Sequence, residues 1–354
     1  MRAAVVTGYR QPLEIHELPK PVPDETGAVL RVAACGICRS DWHLWQEDWT
    51  WLGVRVPLPR VPGHEFAGEV VEVGRGVRDF TVGDRVTVPF HLACGHCEYC
   101  MTGRGNICQA LGFLGVNHDG GYAEFACIPN ADVNLVRLPE GVDPAAAAAL
   151  GCRYMTAYHG LLDQARVRPG EWVAVFGMGG VGLAAVQIAH ALGARVVAVS
   201  RTAEKLIRAR SEGADAIVEA GEQAVAAIRE LTGGGAHVSV DALGASVTTV
   251  PAILSLRKGG RHLQLGLTGK EDFGLIAMPV DAMVMQELSF LGSIGCPVTT
   301  YPGLLSMVAS GALNPQGLVD TKVNVDGVNG VLTNMSDFGT TGFAVITSWA
   351  PASV

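Results

Sequence analysis

The chain has 354 residues and a mass of 37.1 kDa, a length that suits two domains and a large buried core. Hydrophobic residues make up 49% and charged residues 17%, which excludes global disorder, and a net charge of −8 argues against gripping a nucleic-acid phosphate backbone. No apolar run reaches the ~20 residues a membrane span needs, and residues 1–12 lack a secretory-signal pattern, so no membrane partner and a cytoplasmic location are expected.

Residues 1–150 read as strands and turns. The runs 3–6, 28–34, 66–73, 85–89 and 122–128 are β-branched or aromatic between Gly, Pro and Asp turns. Pro19, Pro21, Pro23, Pro57, Pro59 and Pro62 mark loops. An alanine-rich helix start covers 145–150, and the texture changes near Cys152. Beyond 161, strands are predicted at 172–176, 195–199, 216–218, 237–240, 262–266 and 288–291. Between them lie helices at 183–192, stopped by Gly193, and at 203–210, 223–231 and 247–256, the last ended by Gly259-Gly260. This alternation predicts βαβ units and a parallel sheet. The stretch after Cys296 carries a helix near 303–310 and mixed strand patterns, and is expected to return to the first domain.

There are nine cysteines, an odd count that does not suit a disulfide framework. Cys94, Cys97, Cys100 and Cys108 fall within fifteen residues, so a short loop can close four thiolates around a tetrahedral, structural zinc. An iron–sulfur cluster is the rival, but no proline follows the last cysteine and no second cluster appears. A second set is spread out: Cys38, Gly63-His64-Glu65 and Cys152. Taken singly, Cys152 reads as a core thiol and His64 as a loop histidine. Together, two thiols and an imidazole beside a carboxylate suit a catalytic zinc with an open position.

The predicted strand 172–176 ends in Gly177-Met178-Gly179-Gly180-Val181-Gly182 and opens into a helix, the context a dinucleotide-binding glycine motif requires. Gly177 would make the turn, Gly179 would admit the pyrophosphate and Gly182 would let helix and strand pack closely. The second strand ends in Ser200-Arg201-Thr202, with Lys205 nearby, where an NAD site usually carries Asp or Glu. Without that carboxylate, Arg201 can meet a 2′-phosphate, so NADP(H) is favoured over NAD(H). The alternative is that Arg201 points into solvent and either cofactor is accepted.

Together these features resemble the zinc-dependent alcohol dehydrogenases of the medium-chain dehydrogenase/reductase family over essentially the whole chain. Gly63-His64-Glu65-x2-Gly68-x5-Gly74-x2-Val77 fits the family's zinc signature, and the four clustered cysteines fit its structural-zinc lobe. The segments 36–43 and 151–158 resemble the first and third catalytic-zinc segments. The implied fold class is α/β: a Rossmann doubly wound parallel-sheet domain plus a mainly β GroES-like catalytic domain carrying the four-cysteine zinc lobe. The implied domains are 1–153, with the lobe at about 91–110, then 154–294 for the cofactor, and 295–354 returning to the catalytic domain.

The resemblance also implies residue roles. Cys38, His64 and Cys152 are catalytic zinc ligands, with Glu65 close behind the metal and Asp41 orienting His64. Two Zn2+ per chain follow. Arg39 would touch the pyrophosphate, Thr156 and Val181 the nicotinamide, and Trp49 and Phe90 the substrate, with Leu267 and Ile294 as weaker candidates. Ser40 would take the alcohol proton and pass it through the nicotinamide ribose to His43. Phe343 stands where the family often carries a phosphate-binding arginine, and Arg153 is expected to meet cofactor or an interdomain carboxylate. Four of six tryptophans lie in 42–51, either as packing or as an aromatic wall favouring bulky alcohols. The expected reaction is reversible hydride transfer between primary or secondary alcohols and NAD(P). A homotetramer built from dimers is expected, the sixth strand pairing with its mate. The competing readings are a polyol or sugar-alcohol dehydrogenase, a zinc-free quinone or enoyl reductase, and a non-catalytic zinc-binding protein.

Overall fold

In the computed structural model, which describes residues 1–337 and 339–351, the strand Trp172–Phe176 is buried at all five positions. Such a continuous apolar run needs cover on both faces, as in a parallel sheet flanked by helices. It lies inside a six-stranded parallel sheet of order Ala216–Glu219, Arg195–Ser200, Trp172–Phe176, Ala236–Asp241, Leu256–Gln264, Ser289–Gly292. The order reverses between Trp172–Phe176 and Ala236–Asp241, and ligands of doubly wound sheets bind outside the strand ends at that point. This sheet belongs to a compact unit, Thr156–Ile294.

The helix after the first strand of this unit runs Gly180–Ala191 and starts three residues before the predicted 183, because the glycine turn enters it directly. Gly193 stops it as expected: its φ is +80°, and the N–H groups of Gly193 and Ala194 return to the carbonyls of His190 and Ala189. The pair Gly259-Gly260 does not end a helix. The helix Ser246–Leu254 stops earlier, and the glycines sit inside the strand Leu256–Gln264. There the pairing slips from Ala236↔Leu256 to Val238↔Arg261, so the glycines absorb a bulge. The helix Val280–Gln286 was not predicted.

The second unit joins Met1–Met155 with Gly295–Val354. Its seven-stranded sheet has the order Val319–Asn324, Phe343–Ser348, Ala28–Ile37, Glu65–Val73, Arg85–Val88, Val136–Arg137, with Phe125–Ile128 pairing Ala28–Ile37. All these pairs are antiparallel except Val319–Asn324 with Phe343–Ser348. Leu30, Ile37, Phe66, Tyr122 and Ile128 are completely buried in its core. The predicted strand 122–128 begins only at Phe125. Ahead of it, the N–H groups of Gly120, Gly121 and Tyr122 bond to the carbonyls of Val61, Gly63 and Pro62. The backbone there braces the loop that carries His64. Among the described residues, no helix is long and apolar enough to cross a membrane.

Candidate active site

The spread-out set is brought together. Ligand atoms of Cys38, His64, Glu65 and Cys152 all lie within 4.8 Å of one another. Cys38 precedes the helix Arg39–Trp45, and the Asp41 side chain caps that helix by accepting the Cys38 N–H at 2.9 Å. The same carboxylate meets His64 Nδ1 at 3.0 Å and accepts the Gly63 N–H at 3.2 Å and the Tyr122 hydroxyl at 3.0 Å. Asp41 therefore fixes the helix start and the imidazole orientation at once. Gly63 has φ +93°, and a Cβ there would overlap the Tyr122 ring, so only glycine lets the loop deliver His64. His64 Nε2 is buried and makes no hydrogen bond. An orphaned imidazole nitrogen beside two thiols is what a soft-to-borderline cation such as zinc would satisfy.

The electrostatics point the same way. The hydrogen bond from Cys152 holds Cys38 well below the usual thiol range despite burial, while that bond and burial push Cys152 up. Burial opposes protonation of His64, but the Asp41 charge and hydrogen bond outweigh it and raise His64. Glu65 is pushed up to about 7 by burial, against the pull of Arg153.

Arg153 meets a carboxylate of its own unit, Glu65, rather than an interdomain one. Its Nε donates to both Glu65 oxygens at 2.9 and 3.1 Å, a terminal nitrogen donates to Oε2, and its backbone N–H donates to Oε1 at 3.1 Å. Phe343 is fully buried, with the Arg153 guanidinium 3.9 Å above its ring. Ser40 Oγ lies 3.7 Å from Cys38 Sγ. His43, one helical turn on, is held at Nδ1 by Asp48 at 2.6 Å and stacked on Trp49 at 4.7 Å. Burial lowers the His43 pKa, against the hydrogen bond its ring makes to the Asp48 carboxylate. Phe90 stacks on Phe113 and presents its edge to His64 at 6.2 Å. Arg39 donates to the Met335 carbonyl and lies 3.7 Å over the Trp42 ring. Trp42 and Trp45 donate to Ser336 and to the Gln11 carbonyl, so these two pack the chain itself.

The clustered four-cysteine set is also assembled. Sulfurs of Cys97 and Cys100, Cys97 and Cys108, and Cys94 and Cys100 are 3.5, 3.8 and 3.9 Å apart. A tetrahedron with metal–sulfur bonds of ~2.3 Å has edges of about 3.8 Å, whereas a disulfide needs about 2.05 Å. Backbone N–H groups of Cys94, Cys97 and Ala110 point at these sulfurs at 3.3–3.4 Å. Backbone donors from Cys100 and Gln109 bring Cys97 down to about 6, and burial pushes Cys100 up to about 12.

In the parallel-sheet unit, Gly182 packs against the Gly177 carbonyl where a Cβ would overlap it, while a Cβ at Gly179 would meet nothing within 4 Å. One glycine closes the turn and the other leaves room over the N-terminus of Gly180–Ala191, where free N–H groups favour an anion. Gly180 and Val181 are half-buried there, and Thr156 is buried on Met155–His159. Ser200 is buried and accepts the Thr202 N–H at 3.3 Å, Lys205 is half-buried, and Arg201 is exposed, with no ion pair among the described residues. Leu267 and Ile294 are partly exposed.

Residues 24–140 match the family model for the alcohol dehydrogenase GroES-like domain, and residues 180–310 match that for zinc-binding dehydrogenase. An alcohol dehydrogenase of Geobacillus stearothermophilus is 38% identical over 83% of this chain and 85% of its own. The chain belongs to the zinc-type alcohol dehydrogenases of the medium-chain dehydrogenase/reductase family. An NAD-dependent alcohol dehydrogenase of Sulfurisphaera tokodaii is 30% identical over 98% of this chain and 99% of its own. The solved alcohol dehydrogenase TADH from Thermus sp. ATN1 superposes with a TM-score of 0.89 at 31% identity, covering 98% of this chain and all of that one. Within this dehydrogenase fold, two site residues escaped the sequence reading. Asp48, which grips His43, hides in the tryptophan-rich segment. Tyr122, which grips Asp41, follows the pair Gly120-Gly121, and a hydroxylated aromatic after two glycines was the available signal.

Proposed function

We propose that the protein is a zinc-dependent alcohol dehydrogenase that moves hydride reversibly between primary or secondary alcohols, bulky or aromatic ones included, and NADP(H) in preference to NAD(H). The observation that carries this reading is the buried set Cys38, His64 and Cys152, with His64 Nε2 lacking any protein partner. These three residues would hold the catalytic zinc, and Cys94, Cys97, Cys100 and Cys108 a second, structural one. When bound, zinc supplies Lewis-acid polarisation of the substrate oxygen and the nicotinamide accepts or returns hydride.

The chain's own residues do the rest. Asp41, itself held by Tyr122, keeps His64 in the tautomer that leaves Nε2 free to bind. Ser40 takes the hydroxyl proton at Oγ. His43, fixed by Asp48 at Nδ1, ends the relay by exchanging a proton with solvent from Nε2, and burial keeps it neutral enough to accept one. Trp49 and Phe90 wall the alcohol. The glycine turn Gly177–Gly182 would hold the pyrophosphate, with Arg39 as a further contact, Thr156 and Val181 against the nicotinamide, and Ser200, Arg201 and Lys205 on a 2′-phosphate. Nine free cysteines suit a cytoplasmic location. The exposed edge strand Ser289–Gly292 suits a dimer pairing within a homotetramer.

The experiment is a screen of NADPH and NADH against aldehydes and ketones, with benzyl alcohol compared with ethanol in the oxidation direction. Turnover with NADPH and higher kcat/KM on benzyl alcohol are expected. No cofactor-dependent turnover with any member of the panel would defeat the reading, and a clear ethanol preference would defeat the aromatic wall.

A further inference from the structure

Glu65 is a fourth donor at a site that must keep one position open. One of its oxygens lies within 4.8 Å of the ligand atoms of Cys38, His64 and Cys152. Two thiolates, an imidazole and a carboxylate would complete a tetrahedron and shut the substrate out. Both Glu65 oxygens, however, are engaged by Arg153, which also donates its backbone N–H.

The pair sits in a built enclosure. Glu65 is 0% exposed and Arg153 5%. The Phe343 ring lies 3.9 Å under the guanidinium. Gly36 leaves the space that a Cβ would take from the Glu65 carboxylate, and a Cβ at Gly151 would come within 3.0 Å of Glu65 Cα. Because Arg153 directly follows Cys152, one turn of chain delivers both a metal donor and the group that restrains the neighbouring carboxylate.

We propose that Arg153 is a positioning residue: by holding both oxygens of Glu65 it ties the carboxylate back from the metal and reserves the fourth coordination position for the substrate oxygen. A buried carboxylate stripped of its guanidinium would turn to the nearest remaining cation, which is the metal. The inference rests on the reading that Cys38, His64 and Cys152 hold an ion.

The test uses the 354-residue protein with cobalt(II) exchanged for zinc and imidazole as the probe, read in the visible d–d bands without turnover. A four-thiolate site has no open position, so only the Cys38–His64–Cys152 ion answers imidazole. Wild type should show a saturable imidazole shift. In Arg153→Met the bands should differ before imidazole is added, and imidazole should bind about tenfold more weakly or worse. Arg153→Met combined with Glu65→Gln should regain the wild-type response. Unchanged bands and imidazole affinity in Arg153→Met overturn the proposal. Should that variant not fold, Arg153→Lys carries the test, because an ammonium covers one oxygen where the guanidinium covers two: imidazole binding weakened about threefold or more supports the role, and unchanged binding overturns it. A wild-type protein that takes up cobalt but ignores imidazole sinks the open metal site itself, a failure distinct from an Arg153 variant that behaves like wild type.

Discussion

Asp41 serves two purposes with one carboxylate: it caps the helix Arg39–Trp45 and orients His64. Ser40 and His43 ride on that capped helix, so their positions depend on Asp41 as well. Ser40→Ala should lower alcohol-oxidation kcat by about 10²-fold, the usual scale for a lost proton-transfer group, with metal content unchanged. Undiminished turnover would remove Ser40 from the mechanism. Cys38→Ala should lose one zinc equivalent per chain by metal analysis, and full retention would exclude it as a ligand. His43 gives a pH prediction with a definite sign. Burial depresses its pKa, so it stays neutral below its ordinary ~6.5. Because the relay accepts its proton on neutral imidazole, oxidation should hold steady as pH falls to about 6.5 and decline only below that. Asp48 acts to raise this pKa, so Asp48→Asn should move the acid limb lower still, and a shift to higher pH would contradict the assignment.

The four-cysteine loop and the glycine turn were legible because each closes on itself within a few residues, where loop closure is cheap and spacing alone constrains geometry. The two elements should answer mutation differently. If the four cysteines hold a structural ion as proposed, Cys97→Ser removes one of its ligands. A loss of about 2 kcal/mol there would lower Tm by roughly 4–8 °C, with one zinc lost, and an unchanged melting curve would rule out a structural ion. Gly179→Ala should leave Tm unaltered, because its Cβ enters open space, yet weaken dinucleotide binding by about tenfold or more. Equal cofactor affinity would place the pyrophosphate elsewhere. The helix Val328–Ser336 was missed although Val328, Val331, Leu332 and Met335 follow helical spacing and are buried. Its two asparagines, threonine and glycine are poor helix formers, and packing against the core overrides that preference.

Across the molecule, both candidate metal-binding sets belong to the unit formed by Met1–Met155 and Gly295–Val354, and the glycine turn to Thr156–Ile294. Cofactor choice therefore tests the second unit independently of the metal chemistry in the first. A charged hydrogen bond from Arg201 to a 2′-phosphate is worth about 1.5–3 kcal/mol, so Arg201→Ala should lower kcat/KM for NADPH by roughly 10- to 150-fold and leave NADH nearly untouched. Equal losses with both cofactors would mean that Arg201 does not read the phosphate.

The residue order alone was enough for the class of fold, the two candidate metal-binding sets and the glycine turn, since each is written in local spacing or in a strand–helix rhythm that burial enforces. It was silent on contacts between distant segments. Arg153 and Glu65 are 88 positions apart, and Tyr122 and Asp41 are 81. The strand Phe343–Ser348 crosses back to pair with Ala28–Ile37 and carries the ring under Arg153. Which buried charge meets which partner is settled by how the whole sheet closes and by which polar groups would otherwise stay desolvated and unpaired. No periodicity along the chain encodes that outcome.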